Sequence, residues 1–277
     1  MSTGSAIIIL PDDRAVTGLK VPLMLWNVMG SPVLAWMIRL MRDNGYGRFL
    51  LLCGEEFQSR AMACFPAGSA ALSDLSGRAV KSFLSEAQGQ LLVVTAPAVL
   101  DGRALLGVNE VAGEIEAGNE PDQGSRCYLV DTESIASVCD AANFDLVRFA
   151  AVLGHELSWR DGAVPLPDLV TLTDCHTMFN QLRNYHLYAD GVEIWDMANC
   201  YVGPFAEVAA GAILMPGTIL KGNTTVAAGA VIGPDSLLEN AAVGSGATVN
   251  ASQVYNSTVE GNTYVGPFAC IRPDSPE

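Results

Sequence analysis

The side chains equipped for chemistry lie scattered along this 277-residue chain. Two adjacent carboxylates, Asp12 and Asp13, follow the apolar run Ile7-Ile8-Ile9-Leu10 and a proline. Paired acids can hold a divalent cation, but Asp-Asp after proline is also ordinary composition for a solvated turn. His155, in Gly154-His155-Glu156, has no neighbouring serine or cysteine pattern that would make it the base of a nucleophile. His176 and His186 stand ten residues apart on one expected helix, too far to share an ion. The seven cysteines (53, 64, 127, 139, 175, 200 and 270) include no C-x-x-C pair. Neither a zinc site nor a disulfide framework is indicated, and free thiols in a reducing cytoplasm are expected.

The elements that must position these residues fall into two kinds. Half of the residues are hydrophobic and 16% are charged, which excludes a disordered chain, and the length predicts two domains. The net charge of −15 argues against nucleic acid or an anionic membrane as partner. The run at 7–10 is too short for a signal-peptide core, and residues 91–100, with Pro97 inside, are half a membrane span. In the first part, residues 6–10, 49–53 and 91–95 read as buried parallel strands, with a later strand at 126–130. Residues 32–41 read as a helix ended by Asn44-Gly45, and Asp174 is expected to open and cap another that runs to about Tyr188. Strand–helix alternation implies a doubly wound α/β sheet, with any ligand at the carboxyl ends of its strands.

The composition changes near residue 190: residues 1–190 carry 13 basic and 22 acidic groups, residues 191–277 only 2 and 8. From there Val202, Val208, Leu214, Leu220, Val226, Ile232 and Leu238 recur every six residues. The register slips by one, resumes at Val243 and Val249, and returns at Val259, Val265 and Ile271. Small residues follow four positions later, as at Ala206, Ala212, Thr218, Thr224, Ala230, Ser236, Ala247, Thr263 and Ala269. A period of six is neither helical nor that of a simple strand ladder. It predicts a short left-handed parallel β-helix of hexapeptide repeats, three faces to a coil, with the aliphatic residue inside.

An α/β domain, a linking helix and a hexapeptide helix, in that order, resemble the bifunctional N-acetylglucosamine-1-phosphate uridyltransferase/glucosamine-1-phosphate N-acetyltransferase family. The specific phrases are Gly191-Val192-Glu193-Ile194-Trp195-Asp196, Asn199-Cys200-Tyr201-Val202, Pro216-Gly217-Thr218, Gly222-Asn223-Thr224 and Val231-Ile232-Gly233-Pro234. Val265-Gly266-Pro267-Phe268-Ala269-Cys270-Ile271-Arg272-Pro273 continues them. Upstream, Pro22-Leu23-Met24-Leu25 and Val28-Met29-Gly30-Ser31-Pro32-Val33-Leu34 resemble the family's stretch after its phosphate loop. The resemblance implies a nucleotide-diphospho-sugar-transferase-like α/β domain over 1–173, a linking helix over 174–190 and the β-helix over 191–277.

At the family's chemical positions this sequence differs. The family's glycine-rich loop cradles nucleotide phosphates with backbone N–H groups. Here the strand ends Leu10-Pro11-Asp12-Asp13-Arg14, one residue short, without glycine, and with two carboxylates facing the expected phosphates. Each repulsion at several ångströms would cost on the order of 1 kcal/mol or more. The family's lysine after the loop aligns with Leu23, with Lys20 nearby, and its metal-binding aspartate aligns with Pro97. Its base-reading segment has no counterpart near Gln88-Gly89, and its sugar-binding Asn-Thr-Gly matches at best Ser125-Arg126-Cys127. Asp174, where the family has a metal-binding asparagine, is the one candidate metal ligand. The β-helix stops just after Arg272, before the family's acetyl-transfer residues, so acetyl transfer is not expected.

These observations predict a cytoplasmic, degenerate sugar-nucleotidyltransferase-like protein, a non-catalytic binding or assembly module. It needs no cofactor, takes a sugar phosphate or nucleotide sugar if anything, and forms a homotrimer through the β-helix. The alternative is an active nucleotidyltransferase on a sugar 1-phosphate, with Mg²⁺ held in a rebuilt site by Asp12, Asp13 or Asp174. A third reading is a purely structural trimer.

Overall fold

The computed structural model describes residues 4–73, 77–87, 89–106 and 124–273, without the side chains of Ser73 and Asp174. The chain divides into two compact units, residues 1–28 with 32–175 and residues 29–31 with 176–277. The first runs through β1 (Gly4–Ile9), α1 (Val33–Asp43), β2 (Tyr46–Leu52), β3 (Ala70–Ser73), α2 (Gly77–Leu84), β4 (Gln90–Val94) and β5 (Ala98–Leu100). It continues with β6 (Gly124–Asp131), α3 (Thr132–Val138), α4 (Leu146–Leu153), β7 (His155–Ser158) and β8 (Ala163–Pro165), and α5 (Leu169–Ala189) follows.

Six strands make one sheet in the order β3-β2-β1-β4-β6-β7. Strands β1 to β4 are parallel, whereas β6 runs antiparallel to β4 and β7 antiparallel to β6. The continuous apolar runs read from the sequence are those of strands covered on both faces. Ile7, Ile9, Leu50, Leu52, Leu91 and Val93 share a core with Val80 and Leu84 of α2, Ile135 of α3 and Leu146 of α4. The alternate residues Ala6, Ile8, Phe49, Leu51, Leu92 and Val94 are buried as well, and α1 packs against β2 and β5. Its end is as expected: Asn44 donates from Nδ2 to Leu40 O at 2.8 Å, and Gly45 turns the chain at φ +87.

Helix α5 begins five residues before the expected opening at Asp174. Asp168 is the cap, accepting from the Thr171 amide at 2.8 Å and its hydroxyl at 2.9 Å. The β-branched residues Val170, Thr171 and Thr173 disguise this first turn, and Asp174 lies inside the helix. Among the described residues no helix is long and apolar enough to cross a membrane.

The second unit is the left-handed parallel β-helix. Its short strands stack on three parallel sheets of five, five and four strands, each pairing with the strand three ahead. Leu214 pairs with Ile232, Leu220 with Leu238 and Val226 with Val243, and the inward aliphatic residues form one core. The corner residues Thr218 and Thr224 are buried, and their hydroxyls reach carbonyls. Thr218 Oγ1 lies 2.7 Å from Met215 O and 3.0 Å from Ile232 O, and Thr224 Oγ1 lies 2.6 Å from Lys221 O.

The sequence reading skipped one rung. Val254 is buried, pairs with Leu238 and stands midway between Val249 and Val259. Three corners are therefore five residues long, and each contains a left-handed residue: Asn240 at φ +51, Ala251 at φ +43 and Asn256 at φ +47. Left-handed residues also occur in six-residue corners, at Asp235, Asn262 and Phe268, so this conformation belongs to the turn in general and does not by itself set the shorter length. Asparagine tolerates that conformation best among non-glycine residues.

The first coil has no preceding coil to donate to its carbonyls, and α5 supplies donors instead. Asn180 and Asn184 donate to Cys200 O at 2.9 and 2.8 Å, Asn184 also to Met197 O at 2.9 Å, and Arg183 to Ala206 O at 3.0 Å. All three side chains are buried. Capping the end of a stacked repeat in this way satisfies backbone groups that would otherwise be stranded.

If the inward residues carry the second unit, Leu238→Ala should lower its stability by about 2–5 kcal/mol. The outward Thr225→Ala on a neighbouring face should stay within about 0.5 kcal/mol of wild type. Chemical denaturation of the two variants checks both.

Candidate functional site

In a sheet where β1 has β2 on one side and β4 on the other, the segments leaving β1 and β4 depart in different directions. A crevice opens between them at the carboxyl ends of the strands. The first unit has a cavity of about 440 Å³ there, lined by Pro11 and Asp13 after β1, Thr95 to Pro97 after β4, and Gly124 to Arg126 at the start of β6. Leu166 and Pro167, beyond β8, close another side. The volume lies within the range of about 300–1,000 Å³ usual for small-molecule sites.

One wall is the segment after β1. Pro11 has no N–H to offer a ligand. Arg14 binds both oxygens of Asp12, each at 2.7 Å, and also Glu56 at 2.7 Å, while its guanidinium lies 4.8 Å from the centre of the Phe57 ring. The hydrogen bond from Arg14 holds the Asp12 carboxyl below its usual range. The loop's cation is thus enclosed by two carboxylates. Asp13 accepts the Leu23 amide on Oδ1 at 3.0 Å. The amides of Val16 and Thr17 both return to Asp13 O, and that of Gly18 to Arg14 O, so the single helical turn (Arg14–Thr17) takes up three amides of this segment.

The opposite wall is built by β4, β6 and β7. Arg126 adopts φ +56, a left-handed conformation uncommon for a residue with a side chain. Its amide donates to Glu156 Oε1 at 2.8 Å. Its carbonyl accepts the Thr95 amide at 3.1 Å and the Thr95 hydroxyl at 2.9 Å. Gly124 makes room for Glu156, because a Cβ there would come within 2.4 Å of Oε1. Beside it, Ser125 donates to Leu157 O at 2.8 Å, and burial pushes the Cys127 thiol up to about 12, which leaves it inert as a nucleophile.

The residues singled out from the sequence separate clearly. Asp13, Pro97, Ser125 and Arg126 line the cavity, whereas Asp12 is engaged by Arg14. Lys20 is exposed and is no part of the lining. Asp174 lies within α5, its side chain outside the described atoms, and Gln88 is likewise outside the described residues. His155 lies 3.4 Å from Asp161, whose other oxygen takes the Ser158 hydroxyl at 2.8 Å. The serine therefore faces the carboxylate, and a nucleophile–base pair is not formed. Sequence reasoning missed Arg126 as the cleft's cation. Its position at the first residues of an antiparallel strand paired to β4 was the available signal.

Mg²⁺ prefers an octahedron of hard oxygens, normally with one or two carboxylates. Among the described residues lining the cavity, Asp13 is the sole carboxylate and already accepts a backbone amide on one oxygen. Pro97 stands where a second ligand is expected, and no group of three or more His, Cys, Asp or Glu side chains arranged for a metal occurs among the described residues. The donor set does not fit the ion.

No family model matches the chain. It is similar to a protein named Bifunctional protein GlmU from an Exiguobacterium species, 30% identical over 157 residues, 57% of this chain and 33% of that protein. A protein of the same name from Alkaliphilus oremlandii is 28% identical over 252 residues, 83% of this chain and 53% of that one. Among solved structures, the inositol-1-phosphate CTP transferase from T. maritima covers 66% of this chain and 97% of its own, with a TM-score of 0.44 and 12% identity. The chain spans about a third to a half of the length of these curated relatives. What the similarity supports is a sugar-nucleotidyltransferase-like relationship to the GlmU proteins.

Proposed function

We propose that this chain is a non-catalytic, sugar-nucleotidyltransferase-like module of the cytoplasm that keeps a ligand cleft and assembles in threes through its β-helix. The observation that carries this reading is the segment after β1. At the position where nucleotidyl transfer needs amides and cations aimed at phosphates, the amides of Val16, Thr17 and Gly18 bond back to the loop and Arg14 is enclosed by Asp12 and Glu56. Phosphoryl and nucleotidyl transfer depend on positioning and charge neutralisation, so a cleft without either provides little rate.

An active site rebuilt around Asp12 and Asp13 is disfavoured by the same contacts. Asp12 would have to leave Arg14, and Asp13 would have to release the Leu23 amide, before either could serve a metal with both oxygens. The ligand classes that suit the reading are a sugar phosphate or a nucleotide sugar, taken up without Mg²⁺. The cytoplasmic assignment is supported by seven cysteines that are all free.

Assembly is supported by the second unit's surface. Trp195, Tyr201, Tyr264 and Phe268 are all exposed there, Phe268 at 90%. Large exposed aromatic side chains on a short stacked repeat are a reason for burial against further copies.

Two measurements test the reading. Melting curves with UTP, UDP-N-acetylglucosamine and sugar phosphates, each with and without Mg²⁺, should show no Mg²⁺-dependent stabilisation by UTP. A ligand at 100 times its Kd adds about 2.7 kcal/mol, so a Mg²⁺-dependent UTP shift would be plain and would overturn the non-catalytic reading. Light scattering at micromolar concentration should give three times the 29.2 kDa chain mass; a monomer mass would overturn the assembly.

A further inference from the structure

We infer that the helical turn Arg14–Thr17 is a movable strap at the rim of the cleft, held back by an exposed latch between Arg14 and Glu56. Release of the latch swings Val16 onto the wall that holds Ala96 and Pro167. The inference goes beyond the function proposed above: it concerns how the cleft is opened and covered, and holds whether or not chemistry takes place inside.

Sheet order sets the two directions in which the strap can lean. β1 lies between β2 and β4, so the segment leaving β1 has the segment after β2 on one side and the segment after β4 on the other. Glu56 and Phe57 follow β2, in the short turn Glu55–Phe57. Arg14 reaches them with both ends of its fork. Nη2 lies 2.7 Å from Glu56 Oε1 and Nη1 3.2 Å from Oε2, with the guanidinium over the Phe57 ring. This contact draws the strap away from the β4 side, where Ala96 and its neighbours line the cavity. The bonds from Arg14 to Asp12 are local, two residues apart, and survive a swing in either direction.

The strap can move as one piece. The amides of Val16, Thr17 and Gly18 bond inside the turn, and the Thr17 hydroxyl donates to Asp13 O at 3.0 Å, so these hydrogen bonds travel with it. At one end the Asp13 carboxylate is held by the Leu23 amide. At the other, Gly18 sits at φ +71 with open space where a side chain would stand, and is free to pivot.

Val16 is the residue that a swing would bury. It belongs to the cavity lining and is 90% exposed. Across the cleft Ala96 is half-buried and Pro167 exposed, and both belong to the same lining. Apolar surfaces brought together there leave water, which favours the swing. Opposing it is an ion pair whose Glu56 side chain is 58% exposed, and pairs of such exposure are weak and screened by salt. The latch therefore sets the balance between an uncovered and a covered cleft, and salt shifts that balance.

Methyl NMR of the full chain, labelled at valine and alanine, tests the inference. Wild type at low salt should show no cross-relaxation between the Val16 and Ala96 methyl groups, whereas Glu56→Ala should show it. Wild type in about 1 M NaCl, where charges are screened beyond about 3 Å, should come to resemble that variant. Glu55→Ala, which removes a neighbouring carboxylate outside the latch, should match wild type at both salt concentrations. The amides of Val16, Thr17 and Gly18 should exchange no faster in Glu56→Ala than in wild type, because the turn swings without unwinding. A missing cross-peak in Glu56→Ala, a cross-peak of equal strength in wild type at low salt, a Glu55→Ala response equal to that of Glu56→Ala, or faster exchange of those three amides would overturn the inference.

Discussion

Parallel pairing of one central strand with two neighbours is the constraint on which the functional architecture of the first unit depends. β1 can have β2 on one side and β4 on the other only if the chain crosses over in opposite senses. Wherever that happens the connecting segments part and leave a crevice above the strand ends. The crevice is a consequence of topology and persists whatever residues line it. Its contents are a separate matter, decided by a few positions in the segments after β1 and β4 and at the start of β6.

Those positions set the chemistry of the cleft without altering its place. Proline at 11 offers no N–H and proline at 97 no ligand; Asp12 is paired with Arg14, and Asp13 accepts the Leu23 amide. Charge pairs of this exposed kind contribute little stability. Their main effect is to withdraw groups that would otherwise meet a ligand. The other wall holds Arg126 on a clamped, left-handed backbone. A site built for a highly charged, metal-bound ligand and a site with one cation among acceptors call for different molecules. Similarity to the GlmU proteins therefore leaves the activity to be argued from these residues.

Much of this was legible in the sequence because the signals were periodic. The six-residue repeat gave the β-helix, and the uninterrupted runs at 6–10, 49–53 and 91–95 marked strands buried on both faces. The errors arose where one residue overrides a pattern. Val254 was passed over because the steps from Leu238 to Val243, Val249 to Val254 and Val254 to Val259 are five residues long, which breaks a strict count of six. The start of α5 was placed late because Thr171 and Thr173 disguise its first turn, although Asp168 caps it from outside. Asn180, Arg183 and Asn184 were not singled out from the sequence, and only their burial against the first coil's carbonyls shows their purpose. Pro97 and the Asp12-Asp13 step could be recognised as departures from the family's chemistry. The place of Arg126 in the wall could not be recognised, because the left-handed backbone and the Glu156 and Thr95 contacts that fix it depend on how the strands pair.

The central claim is that the cleft does no nucleotidyl chemistry. Phosphorus-31 NMR of the purified chain, incubated for hours with UTP, N-acetylglucosamine 1-phosphate and Mg²⁺, tests it most directly. The account predicts that the UTP and sugar phosphate resonances persist unchanged, with neither pyrophosphate nor a nucleotide-sugar diphosphate signal growing in. Stoichiometric growth of both products, abolished in Asp12→Asn or Asp13→Asn, would contradict it.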